Sequence, residues 1–168
     1  MKVLDKIFSF ISSPAKAFDA EKKTNAGEAF KHMIFGFLIL AVITSVIIGI
    51  IFSIAAAFAT IFLTFLFPLG IPFLGPLAGA IATLAIAAVF FGILIGGIIG
   101  SIILSLWLHL WAYIFGARAG LNQTFKSVFY GFSPTYILGW IPFVNFVIGI
   151  WSLVLTGIGL TKLHGLAG

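Results

Sequence analysis

The longest uncharged stretch of the chain decides what kind of protein it can be. From His32 to Ala117 there is no Asp, Glu, Lys or Arg. A soluble domain needs charged residues on its surface to stay solvated, whereas about 20 apolar residues are enough for one helical span of a bilayer. We therefore expect an all-α, polytopic transmembrane helical bundle with about four or five spans, preceded by short cytoplasmic amphipathic helices.

The charged residues cluster at the N-terminus. All four acidic residues and most of the nine basic ones lie in residues 1–31, and the remaining basic residues are Arg118, Lys126 and Lys162. Because Lys and Arg stay on the cytoplasmic side of a membrane, we expect a cytoplasmic N-terminus, an even number of spans before Arg118 and two after it. The net charge of +5 is thus a topology signal. Without a basic patch interleaved with aromatic residues, no nucleic-acid partner is expected.

Two units are predicted: a cytoplasmic or interfacial amphipathic segment at 1–31, and a transmembrane domain at 32–168. Apolar side chains fall on one face of a helix over residues 1–12. That helix would lie either in the membrane interface or on the protein's own cytoplasmic surface. Pro14 suits the first position of a second short helix, and Asn25 followed by Glu28 resembles a capping box that starts the first membrane helix.

Prolines and glycines divide the long apolar region. Pro68 to Pro76 contains three prolines and two glycines, which cannot continue a helix, so the apolar runs are 33–67 and 77–116. Each run is too long for one perpendicular span. Tilt, a kink or an in-membrane break is expected to absorb the excess, with Gly49 and Gly96–Gly97 as candidate break points.

The C-terminal part reads as a polar loop followed by a helical hairpin. The loop covers residues 117–127, and the two helices of the hairpin cover roughly 125–141 and 144–162. Pro134 removes an amide hydrogen and crowds the preceding turn. We expect a kinked or broken helix there, buried against other helices so that its free backbone groups find partners.

A stripe of glycines runs along the second apolar stretch. Gly92, Gly96 and Gly100 repeat every four residues and so share one helical face. Small residues at this spacing let two helix backbones approach closely. Packing within the molecule is the first interpretation of this stripe; a dimer seam or a hydrophilic pathway is the alternative.

A narrow polar groove is predicted one residue further along the same helix. It is formed by Gly97, Ser101, Ser105 and His109. An ionisable residue inside a membrane is a functional candidate by default, but the aromatic residues around His109 are also typical of an interface belt. His109 is therefore interpreted first as a hydrogen-bonded interface residue. A cytoplasmic histidine cluster with His32 and His164 is a less favoured alternative.

The sequence offers little for catalysis. Every carboxylate lies in residues 1–31, which leaves no general acid–base pair and no intramembrane carboxylate for ion-coupled transport. The chain has no cysteine, and its glycines lack the lysine of a phosphate-binding loop. We expect no catalytic residue, no cofactor and no metal site.

Two short motifs resemble those of the Yip1-domain membrane proteins. The run Gly120-Leu-Asn-Gln-Thr-Phe-Lys-Ser-Val-Phe-Tyr-Gly-Phe-Ser-Pro134 is similar to the central signature of that family, and it is followed by a Trp-containing helix at 150–164. Pro14-x-x-x-Phe18 resembles the family's pre-membrane motif. The resemblance implies that the candidate motif and interaction residues are Pro14, Phe18, Arg118, Lys126, Tyr130, Gly131, Ser133 and Pro134.

The resemblance also implies a function. It suggests a non-enzymatic scaffold or adaptor in membrane organisation or traffic, with the lipid bilayer, protein partners or further copies of itself as partners, acting through segments 1–31 and 117–130. Eukaryotic relatives contact Rab-type GTPases. The short form with little soluble region resembles prokaryotic or archaeal members, so GTPase binding is not carried over. The alternative function is a small-solute or ion channel or transporter that uses the Gly97–His109 groove, and a membrane-embedded enzyme ranks third.

Overall fold

Helices make up nearly all of the structure. The computed structural model describes residues 3–67 and 74–166. Within them, the helices are α1 (Val3–Ser12), α2 (Pro14–Ala20), α3 (Ala26–Leu66), α4 (Leu74–Ile114), α5 (Leu121–Gly131), α6 (Ser133–Leu138) and α7 (Val144–His164). The predicted all-α class is confirmed.

Three of these helices, α3, α4 and α7, are long and apolar enough to cross a membrane. The 21 residues of α7 extend about 31 Å at 1.5 Å per residue, which matches a hydrocarbon core of about 30 Å. The fourth expected span, 125–141, is divided instead between α5 and α6, which are 11 and 6 residues long. The described residues thus contain three candidate spans rather than four.

The expected polar loop is largely helical. Residues 121–127 form the first turns of α5, which starts after Gly120 at φ 89°. That left-handed backbone favours glycine, since it lacks a Cβ. Thr124, Lys126 and Ser127 are buried, so the polar residues that suggested a loop instead supply hydrogen bonds inside the protein.

The two long apolar runs form uninterrupted helices, so the candidate break points at Gly49 and Gly96–Gly97 were wrong, and tilt is the alternative that an unbroken helix leaves open. Each of α3 and α4 has 41 residues and is about 60 Å long, twice the hydrocarbon thickness. A glycine inside a helix costs only about 1 kcal/mol relative to alanine, whereas a break in lipid leaves backbone groups without partners. Residues 68–73, which follow α3 and precede α4 in sequence, lie outside the described residues.

The proximal and distal halves of this helical pair have different surroundings. The buried residues of α3 end at Ser45, and this proximal half packs against α5 and α6 as well as α4. Further along, Gly49 of α3 lies against Ile86 of α4, and large side chains such as Phe58 and Phe65 are exposed. We call residues 46–67 and 74–96 the distal hairpin. Its outward surface is apolar and suited to lipid.

The glycine stripe does not make the intramolecular contact expected of it. A Cβ built on Gly92, Gly96 or Gly100 would meet no described atom within 4 Å. The neighbouring Gly97 does make a close contact, because a Cβ there would lie 2.5 Å from the Phe37 ring. The α3–α4 packing therefore uses the face adjacent to the stripe, and the dimer seam along the stripe stays a prediction.

This packing predicts different effects for two adjacent glycines. Gly97→Leu should overpack the contact with Phe37 and lower the free energy of unfolding by about 1–3 kcal/mol. Gly96→Leu, whose side chain would point to open space, should be neutral or slightly stabilising because leucine has the higher helix propensity. Thermal unfolding of both variants in the same detergent measures the difference. Equal melting temperatures would contradict the α3–α4 interface described here.

Candidate interaction site at the charged end of the bundle

The N-terminal helices are docked on the protein itself. Ile7, Phe10 and Phe18 are fully buried. The Phe10 ring stacks on Tyr130 of α5 with centroids 4.6 Å apart and meets Phe18 edge-on at 4.8 Å. Of the two positions predicted for α1, these contacts favour the one on the protein's own surface. Phe8, on the opposite side of α1, is exposed.

An ion-pair network fixes this docking. Lys6 Nζ of α1 lies 2.8 Å from Glu21 Oε1, just after α2. The Tyr130 hydroxyl donates to Glu21 Oε2 at 2.9 Å and accepts from Lys6 Nζ at 3.0 Å. The Thr24 hydroxyl donates to the same carboxylate oxygen at 2.8 Å. One carboxylate thus joins α1, the α2–α3 turn and α5.

The environment of Glu21 determines its ionisation. Burial by itself would raise the pKa of Glu21, but hydrogen bonds from Lys6, Thr24 and Tyr130 outweigh it and hold the pKa below the ordinary 4.5. The carboxylate is therefore charged at neutral pH. Burial and the adjacent Glu21 carboxylate both raise the pKa of the Tyr130 hydroxyl, so it stays protonated and remains a donor.

Two basic residues of the motif have different roles. Lys126 is 1% exposed, and its Nζ donates to the backbone oxygens of Lys22 and Thr24 at 3.0 and 3.1 Å. It therefore holds the α2–α3 turn against α5. Arg118 is exposed, donates to the Tyr113 carbonyl at 2.7 Å and lies over the Tyr113 ring, so it is separate from the network.

The expected helix break lies at Phe132, between α5 and α6, and is buried. Ser133 Oγ donates to the Tyr130 carbonyl at 2.6 Å and lies 3.0 Å from His32 Nε2. Pro134, near the start of α6, is buried. Gly131 lies so close to Thr156 of α7 that a Cβ would overlap it. The side chains around the break thus supply the partners that lipid cannot.

A second polar cluster joins α4, α5 and α7. The Thr124 hydroxyl is fully buried and lies 2.9 Å from His109 Nδ1 and 3.0 Å from His164 Nε2. A hydroxyl carries one hydrogen, so it can donate to one imidazole while it accepts from the other. His109 is therefore hydrogen-bonded, and its location at the membrane interface stays a prediction. His32 contacts Ser133 instead, so the described residues contain no three-histidine cluster.

The predicted polar groove is filled by α3. Ser101 and Ser105 are buried. Ser101 Oγ contacts Met33 Sδ at 2.8 Å, and Ser105 Oγ donates to the Ser101 carbonyl at 2.7 Å. With Phe37 against Gly97, the groove is a packing surface over this length.

The structure thus brings together Phe18, Lys126, Tyr130, Gly131 and Ser133 of the motif, and Pro14 starts the docked α2. Sequence reasoning missed the pairing of Lys6 with Glu21, and the role of Thr124. Neither had a local signal, because the partners lie on different helices. The Asn25–Glu28 pattern was partly informative: Asn25 caps Gly27 N at 3.0 Å, while Glu28 pairs with Lys31.

The network predicts that α1 undocks in acid. A carboxylate with a lowered folded pKa stabilises the docked state fully above its unfolded pKa, and this stabilisation is lost as pH falls through the folded value. In the wild type, the protection factors of α1, which compare its hydrogen–deuterium exchange with the intrinsic rate at the same pH, should therefore fall below about pH 4.5. Glu21→Gln should weaken the docking of α1 by about 2 kcal/mol at neutral pH. This corresponds to roughly thirtyfold faster exchange of α1. The protection of α1 in this variant should also depend less on pH.

Glu28→Gln is the matched control, because the Glu28–Lys31 pair is exposed and within one helix. It should leave α1 exchange unchanged. If both variants behaved alike, the Glu21 network would not be what holds α1 in place.

The Thr124 cluster predicts a hydroxyl-dependent stability. Thr124→Val keeps the shape but leaves two imidazole nitrogens without their partner, which should cost about 1–3 kcal/mol of unfolding free energy. Thr161→Val removes only an exposed bond to the Ile158 carbonyl and should stay within about 0.5 kcal/mol. Denaturation in detergent compares the two. A neutral Thr124→Val would rule out an energetic role for the cluster.

Comparison with known protein families finds a match to the Yip1 domain over residues 8–168. No curated protein and no solved structure matches the chain. The matched region includes α2, the docked end of the bundle and every long apolar helix of the structure. Most of the motif residues whose likeness pointed to this family meet around Tyr130, whereas Arg118 lies apart on Tyr113. The chain belongs to the Yip1 domain family.

Proposed function

We infer that this protein is a non-enzymatic membrane scaffold or adaptor that presents a cytoplasmic surface of fixed shape to protein partners. The observation that carries the proposal is the docking of α1 and α2 through Glu21. The network holds the charged N-terminal segment, which would otherwise be free, in one position against α5 and α7.

The charges exposed around this surface suit recognition by a protein. Lys16, Lys23 and Lys31 are exposed. Asp19 forms exposed pairs with Lys22 and Lys162, and its pKa is lowered mainly by the hydrogen bond from Lys22. Exposed pairs contribute little to stability. Their value lies in steering and selecting a partner through complementary charge.

The arrangement of the ends supports the proposed topology. Lys162 near the end of α7 pairs with Asp19 in the last turn of α2, and Lys126 contacts Lys22 and Thr24. The N-terminal segment, the start of α5 and the end of α7 thus share one end of the molecule. A cytoplasmic location for that end satisfies the positive-inside rule for all of them.

The transporter alternative has weaker support. A conducting path would need a hydrated route past Ser101, Ser105 and His109. Over this length Met33 and Phe37 of α3 cover the helix face, and His109 is bonded to Thr124. A packed helix interface is what a scaffold requires.

Site-specific photo-crosslinking in native membranes tests the proposal. A benzoylphenylalanine at Lys16 or Asn122, both exposed at the charged end, should give discrete protein adducts. The same group at Phe58 or Phe146, exposed on apolar helix surfaces, should give lipid adducts. The chain has no cysteine, so labelling a single cysteine introduced at each of these positions reports on which side of the membrane that position lies. Without protein adducts at Lys16 and Asn122, or with both positions labelled from outside, the proposal fails.

A further inference from the structure

An apolar groove opens on the side of the bundle between three helices. It is lined by Ala26, Gly27 and Phe30 of α3, Ile102 of α4, and Phe125 and Phe129 of α5. Its volume is about 290 Å³, near the lower limit of about 300 Å³ for ligand pockets. All the side chains that line it are apolar, so a polar ligand has nothing to bind.

The aromatic residues give the groove a fixed shape. Phe129 is 3% exposed and forms part of the core. It stacks on Phe125 with centroids 5.4 Å apart and meets Phe30 at 6.1 Å. At the α3 end, Gly27 contributes no side chain, and a Cβ there would meet only Asn25, at 3.7 Å. This absence of a side chain helps to keep the groove open.

The surroundings decide what fills the groove. Water does not stably occupy an apolar hollow, because it lacks polar partners there. An empty hollow forfeits dispersion contacts along its lining. Two of the three helices that form it, α3 and α4, are candidate membrane spans, and the groove lies at the first turns of α3, so the solvent at its mouth is the part of the lipid layer just below the headgroups. A flexible lipid chain is the one component of that solvent narrow enough to enter.

We propose that this groove is a binding site for one hydrocarbon chain of a membrane lipid, held between α3, α4 and α5. The lipid headgroup lies at the level of the first turn of α3, beside the charged N-terminal segment. The bound chain contacts Phe125 and Phe129 on α5. Asn122 at the start of α5 is exposed, and the helix is buried from Lys126 to Gly131, so contact between lipid chains and Phe125 or Phe129 is specific to the groove.

The test uses the purified full-length protein in phosphatidylcholine nanodiscs that contain a phospholipid with a diazirine in the half of one acyl chain that lies nearest the headgroup. After illumination, mass spectrometry compares adducts on the α5 peptide that carries Phe125 and Phe129 with adducts on the α7 peptide that carries Phe146. Phe146 is 75% exposed and reports ordinary lipid contact. We expect clear labelling of α5 in the wild type.

Two variants fill the groove, and one serves as the control. Gly27→Leu and Ala26→Leu should each reduce α5 labelling several-fold and leave α7 labelling unchanged. Gly92→Leu adds the same side chain at a glycine with open space around it, away from the groove, and should change neither. Using two filling variants guards against one of them failing to fold, which thermal unfolding reveals.

Three outcomes would overturn the proposal. The first is an unlabelled α5 in the wild type. The second is unchanged α5 labelling in the folded filling variants. The third is a protein–protein adduct from a benzoylphenylalanine placed at Phe125 or Phe30 in a separate sample without the photoactivatable lipid, which would mean that a second copy of the chain covers the groove.

Discussion

The charged end of the bundle depends on one carboxylate. Glu21 is 8% exposed, and its oxygens accept from a lysine of α1, a threonine of the following turn and a tyrosine of α5. A buried charge is strongly unfavourable unless it is paired and hydrogen-bonded. The folded arrangement of α1, α2 and α5 is the one that satisfies it. The aromatic stack of Phe10 on Tyr130 then excludes water from the same contact.

The broken α5–α6 segment illustrates a second constraint. A chain in lipid must satisfy its own backbone polar groups, yet Phe132 interrupts the helix. The structure resolves this by placing the break among polar side chains, with Ser133 and Tyr136 bonded to the backbone of α5. Polar residues that would be costly against lipid are thereby useful inside the bundle, and this is where the family motif is concentrated.

The sequence predicted those features that depend on local pattern. Membrane embedding, the division near Pro68–Pro76 and the break before Pro134 follow from hydrophobicity and proline chemistry, which act over a few residues. The continuous helices through Gly49 and Gly96–Gly97 were missed because a glycine can either continue a helix or break it. The residues that pack against the glycine decide which of the two occurs. Gly97 has Phe37 beside it, whereas Gly96 has open space.

The sequence identified several residues of the site but not their hydrogen-bond partners. The motif residues Lys126, Tyr130 and Ser133 were identified by likeness, although their partners Lys22, Glu21 and His32 lie about 100 residues away in sequence. No periodicity links such positions. Residues 121–127 were misread as a loop for the same reason, since their polarity serves contacts that only the folded chain makes.

The lengths of the membrane helices have a mechanical consequence. α7 matches the hydrocarbon core, while α3 and α4 are twice as long as that core is thick. Long apolar helices accommodate by tilting, at a cost that depends on bilayer thickness. The tilt of the distal hairpin from the bilayer normal therefore depends on the local bilayer thickness, and the hairpin tilts about the point where it joins the proximal bundle. A thinner membrane would lay the hairpin flatter and enlarge the area that each molecule occupies among the surrounding lipids.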